Sequence, residues 1–221
     1  MDMRRSIPLL AVLGLLTPLL AQDESTPDLA AGRLLVASPD LRDPNFAGTV
    51  VLLLHHDGQG TMGVIVNRKT KTPLSKAMTS ISPEEKPIPT SSDPVFSGGP
   101  VAPSGGLALL RSTSKPEEAT RVFGDVFLVS SRKLVEKSVS DGKPPTEFRL
   151  YLGSCGWAPG QLNMEIQMGA WRVLQANAAV VFDPDPDTLW ARLVELSRLE
   201  IAAVLPPSAN PRGAGARNPL Y

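Results

Sequence analysis

The 221-residue chain carries 22 basic and 22 acidic residues, 42% hydrophobic residues and a single cysteine. Balanced charge without a basic stripe argues against nucleic-acid binding, which needs cations to displace counterions from phosphate. One cysteine excludes an internal disulfide, so core packing must stabilise the fold, and a chain of this length can bury one large core.

The first residues, "MDMRRSIPLLAVLGLLTPLLAQ", place Arg4 and Arg5 before an apolar run from Ile7 to Leu20 and a small residue, Ala21. That is the layout of a secretory signal peptide over residues 1–21, and it predicts a periplasmic or secreted protein. The run is short for a membrane span and is interrupted by Pro8, Gly14 and Pro18, so no transmembrane domain is expected beyond an uncleaved leader. Residues 22–31 read as a polar leader into one domain over 32–204, and the proline- and glycine-rich 205–221 as a disordered tail.

Within the domain, a strand is predicted from Arg33 to Ser38, stopped by Pro39. The β-branched and leucine run Thr49–His55, the turn "DGQG" and the run Met62–Asn67 predict a hairpin buried on both faces. His55 and His56 then lie near the turn and Asn67 at the far end. A short helix follows with Leu74, Met78 and Ile81 on one face, then a proline-rich loop. "VFSGGPV" predicts a short strand and a double-glycine turn, with a further strand from Leu107 to Arg111. Around Gly124 the pattern fits either a strand pair or one bulged strand. "SRKLVEKSV" predicts a helix capped by Ser130 or Ser131.

The segment "EFRLYLGSCGWAPGQLNMEIQMGAW" sets the chemistry. Alternation predicts a half-buried strand to Leu152, with Phe148 and Leu150 inward and Arg149 and Tyr151 on the other face. Gly153 to Gly156 predicts a tight reversal, Pro159 the first turn of a helix, and Gly169 its end. "AWRVLQA" and "AVVF" predict two extended pieces. "DPDPDTLWARLVELSRL" predicts the longest helix, capped by Asp183 or Asp185, with a stripe of Leu189, Leu193, Leu196 and Leu199.

Cys155 is either a nucleophile with His55 or His56 as its base or a small residue in a crowded turn. "GSCGW" lacks the local signature of known cysteine proteases, and both histidines lie about a hundred residues upstream. Ser154 lacks the G-x-S-x-G frame. Adjacent strand residues point to opposite faces, so His55 and His56 cannot share a metal, and no metal site is expected. The glycine turns match no nucleotide-binding fingerprint, and no cofactor is expected. Gln161 and Glu165 fall one helical turn apart and share a face, positioned to bond backbone groups or a ligand.

Taken in order from Gly32 to Leu193, "GRLLVASPDLRDPNFAGTVVLLLHHDGQGTMGVIVNR", "FSGGPV", "YLGSCGWAPGQLNMEIQMGAW" and "VVFDPDPDTLWARL" together resemble the YqgE/AlgH family, the ordered assembly being more specific than any one motif. The resemblance implies an α+β domain of mixed α/β type, with a barrel-like, strongly bent mixed sheet and packed helices. The family pattern matches at His56, Asn67, Gly98, Gly99, Trp157, Gln161 and Glu165, which are the expected ligand- or partner-binding residues. Family members typically have alanine where this chain has Cys155 and an acidic residue where it has His55, and most lack a signal peptide, which by itself implies a cytoplasmic protein. The resemblance brings no established activity and no catalytic residue. The expected function is therefore an exported, non-enzymatic binding or interaction protein with an unknown protein or small-molecule partner. Its rivals are a hydrolase or thiol enzyme using Cys155 or His56, and a regulatory protein of the kind attributed to one family member.

Overall fold

The computed structural model describes residues 28–81 and 91–204; the expected signal peptide and tail lie outside the described residues, as does most of the polar leader. In chain order the elements are β1 (Arg33–Ala37), β2 (Val50–Asp57), β3 (Gly60–Ile65), β4 (Lys69–Pro73), α1 (Leu74–Ile81), β5 (Pro94–Ser97), β6 (Val101–Arg111), β7 (Ala119–Phe123), β8 (Val126–Val129), α2 (Arg132–Ser140), β9 (Phe148–Trp157), α3 (Gln161–Gln167), β10 (Trp171–Gln175), α4 (Ala178–Val181) and α5 (Pro186–Val204). The strands form one curled, half-barrel sheet in a single α+β domain. Its main path runs β10-β1-β2-β3-β9-β6-β8-β7, antiparallel throughout; β5 joins β9 in parallel.

The β2–β3 hairpin forms as its sequence predicts, and its apolar run is continuous because the sheet is covered twice. One face presents Leu34, Val36, Leu52 and Val64 to Val181 of α4, its C-cap residue Phe182, and Leu189 and Leu193 of α5. The alternate residues Leu35, Val51, Leu53 and Ile65 meet Leu162 of α3 with Trp157 and Trp171. Around Gly124 the chain resolves into the hairpin β7–β8.

Strand β9 is the axis of the domain. The predicted reversal at Gly153–Gly156 does not occur: the strand continues through Cys155 to Trp157 and pairs with β3 as Gly63↔Cys155 and Thr61↔Trp157. The glycines there serve another need. The chain leaving β5 lies on one edge of β9 and must reach the other edge to become β6. It crosses at Gly98–Gly99: Gly98 N–H donates to Leu152 O at 2.7 Å, Ile65 N–H donates to Gly98 O at 2.8 Å, and Val101 already pairs with Ser154. A Cβ on Gly98 would lie 2.3 Å from Gly153 O, one on Gly99 2.2 Å from Ser154 O, and one on Gly153 2.3 Å from Gly99 O. Backbone meets backbone here, and only glycine permits it.

Other expectations are corrected. Arg149 and Tyr151 are buried rather than on a solvated face. Arg149 donates to the carbonyls of Pro145, Val181 and Asp183 and lies over the Phe96 ring, so the cation is held by backbone dipoles and π density. "AVVF" is no strand: Ala178–Val181 forms a one-turn helix because the Asn177 side chain accepts from Val180 N–H. Helix α3 starts after Gly160 (φ +76°) rather than at Pro159. Ser131 occupies the cap position of α2 but donates its hydroxyl to Glu118. On α5 the buried face comprises Leu189, Leu193, Val194 and Ser197, while Leu196 and Leu199 are exposed.

The crossing predicts a sharp contrast between neighbouring glycines. Gly98→Ala or Gly99→Ala forces backbone apart and should cost more than about 4 kcal/mol. A Cβ on Gly156 meets nothing nearer than Val101 at 3.8 Å, so Gly156→Ala should stay within about 1 kcal/mol of the parent. Urea midpoints of the three variants check the ranking.

Candidate functional site

Strand β9 ends at Trp157, and the chain turns through Ala158–Gly160 into α3. Gln161 and Glu165 are spaced four apart, so both reach back over the strand end. The Glu165 Oε2 accepts from Trp157 Nε1 at 2.9 Å and from Trp171 Nε1 at 2.8 Å. Its Oε1 accepts from Gln161 Nε2 at 2.9 Å, and Gln161 Oε1 accepts from the Ala158 N–H at 3.0 Å. Gly169, at φ +77°, closes α3 as expected and returns the chain so that Trp171 faces the same carboxylate. Phe46 stacks on Trp157 (5.8 Å, 23°) and meets Trp171 edge-on (5.4 Å, 77°). The indoles are only 5% and 4% exposed. An indole N–H is a donor with no alternative role, and a carboxylate accepts from several donors at once. The cluster therefore satisfies two buried donors with one anion.

The remaining expected residues divide between the two ends of the hairpin. His56 Nδ1 pairs with Thr61 Oγ1 at 2.7 Å, and Thr61 pairs in register with Trp157, which places His56 one strand away from the indole cluster. His55 is exposed, with Nε2 2.8 Å from Asp57 Oδ2. The Gln59 backbone N–H, and then His55, hold the Asp57 carboxyl below its usual range. Asn67 lies at the far end: its Oδ1 accepts from Val50 N–H at 2.8 Å and its Nδ2 donates to Gly48 O at 3.0 Å, tying the exit of β3 to the entry of β2. Gly98 and Gly99 form the crossing over β9. The structure thus brings Trp157, Gln161 and Glu165 together, sets His56 beside them, and leaves Asn67 apart. Trp171 and Phe46 complete the cluster although neither is among the expected site residues; the helix-closing Gly169 two residues before Trp171 is the sequence signal for the first.

Cys155 lies beneath the crossing, 0% exposed, with Sγ 3.4 Å from Gly98 O. Burial pushes its thiol up to about 12, against a smaller opposing pull from Arg68. A nucleophilic thiol must reach the thiolate form near neutral pH, and this environment opposes it. Among the described residues no group of three or more His, Cys, Asp or Glu side chains is placed to hold a metal. A cavity of about 350 Å³ lies between Arg111, Asp125, Lys143 and Glu147, and one of about 450 Å³ between Pro116, Glu118, Lys133 and Leu134. Neither shares a residue with the indole cluster.

Residues 34–202 match the family model described as AlgH-like. A UPF0301 protein of Nitrosococcus oceani is 33% identical over 168 residues, covering 76% of this chain and 89% of the relative. A UPF0301 protein of Streptomyces avermitilis is 36% identical over 184 residues, covering 78% and 89%. The solution structure of the AlgH protein from Pseudomonas aeruginosa superposes with a TM-score of 0.64 at 29% identity, covering 84% of this chain and 99% of that one.

If Glu165 fixes the strand end, Glu165→Ala should destabilise the domain by about 2–5 kcal/mol, the cost of two buried indole donors left without an acceptor. Glu165→Gln keeps one carbonyl oxygen for the indoles and should cost less. Urea titration followed by tryptophan emission checks both the order and the red shift expected for the alanine variant.

Proposed function

The chain belongs to the AlgH-like family, and we propose that it is an exported, non-enzymatic interaction protein in which the candidate site residues build a rigid scaffold. The observation that carries this reading is the fate of the candidate polar groups. Both Glu165 oxygens, the Gln161 amide and the Asn67 amide are engaged within the fold. Cys155 is sealed beneath a chain crossing. A catalytic acid, base or nucleophile must reach a substrate atom within hydrogen-bond distance, and these groups instead bond backbone and side chains of the fold itself.

Export rests on the sequence: two arginines, the apolar run and Ala21. No helix among the described residues is long and apolar enough to cross a membrane. An interaction partner would meet the outward faces of the helices and loops, with the β9–α3 corner holding the backbone in place.

Complementation of a deletion strain tests the reading. Cys155→Ala and His56→Ala should each support the parental phenotype at equal protein level, and mass spectrometry of the periplasmic fraction should find a mature N-terminus after Ala21. Loss of complementation by a folded Cys155→Ala protein would instead establish thiol chemistry, and an intact leader on protein found in the cytoplasm would remove export.

A further inference from the structure

Two methionines, Met164 and Met168, stand one helical turn apart on the outer side of α3 and its C-cap, 57% and 76% exposed. The other methionines of the described chain are withdrawn: Met78 is 1% exposed, and Met62 packs partly buried against the core. The one thiol, Cys155, has no access to solvent. A thioether needs no deprotonation to react with an oxidant, so solvent exposure governs which sulfur is modified first. Leu162 and Glu165 direct the remaining sides of α3 toward the sheet and the indoles. Groups added at Met164 and Met168 therefore project into solvent and leave the carboxylate–indole contacts in place.

We propose that Met164 and Met168 form a reversible oxidation site for peroxides, at which the apolar ridge of α3 is turned polar without unfolding the domain. In the step itself a sulfur lone pair attacks one peroxide oxygen and an S–O bond forms as the O–O bond breaks. The proton on the transferred oxygen passes through solvent to the departing hydroxide, giving water. Sulfur is oxidised from thioether to sulfoxide and peroxide is reduced. The sulfoxides are substrates for the two epimer-specific methionine sulfoxide reductases, which restore the thioethers. The proposal stands on exposure and helical spacing, independently of the interaction role above.

The test exposes the full chain to hydrogen peroxide and follows each methionine by timed peptide mass mapping, with Met1 and Met3 scored separately. Met164 and Met168 should each gain one oxygen ahead of Met62, while Met78 and Cys155 gain none. Tryptophan emission should stay at its starting wavelength, and the two reductases together should remove both oxygens. The double variant Met164→Leu, Met168→Leu should keep the parental Tm and lose the early uptake. Oxygen appearing on Met78 or Cys155 as early as on Met164 would overturn the proposal. So would an emission shift in step with methionine oxidation, or sulfoxides that the reductases leave in place.

Discussion

A single carboxylate, Glu165, accepts hydrogen bonds from two indoles that come from different strands, Trp157 ending β9 and Trp171 beginning β10. Both indoles are buried, and the carboxylate is the partner each N–H finds within the fold. The segment between them must therefore be a helix of fixed length with an acid on the face that looks back at the sheet. Gln161 sets the start of that helix by accepting from Ala158, and Gly169 sets its end. The same corner leads into the edge strand of the sheet, since Trp171 is the first residue of β10 and pairs in register with Ala37 of β1.

The same strand carries the second constraint. Three glycines let the chain cross β9 at Gly153 and Ser154, just before the indole corner begins at Trp157, and Cys155 fills the space under the crossing. These two features outweigh the surface electrostatics. Exposed pairs such as Arg132–Glu136 and Lys137–Asp141 contribute about 0.3–0.5 kcal/mol each. A buried donor deprived of its acceptor costs about 1–3 kcal/mol, and a backbone overlap near 2.3 Å admits no small adjustment at all. Arg149 follows the same logic: burial lowers its tendency to hold a proton, and three carbonyls keep the charge in place.

Where the determinant is local, the sequence is legible. The hairpin turn "DGQG", the closing Gly169 and the acidic start of α5 all act within a few residues of themselves, and each forms as expected. Gly153 and Gly156 mislead because glycine in a short span usually signals reversal. Gly153 instead answers to Gly99, a residue more than fifty positions away that no local window contains. Arg149 and Tyr151 mislead for a related reason: alternation marks a strand with one wet face, but α4 and the Phe96 strand cover the second face. On α5 the leucine spacing of three and four fits two neighbouring faces, and the sheet selects the one bearing Val194 and Ser197. The site was half legible: the Gln161–Glu165 spacing marks a shared face, whereas only tertiary folding supplies Trp171 and Phe46.

Hydrogen exchange at the indole nitrogens tests the idea of a closed corner most directly. Followed by NMR across a denaturant series, the Trp157 and Trp171 indole protons should exchange with the same free energy as the slowest backbone amides of β2 and β9, so that they open only when the whole domain unfolds. Fast, denaturant-independent exchange at either indole, with those amides still protected, would mean that the corner opens alone and that Glu165 is available to something outside the fold.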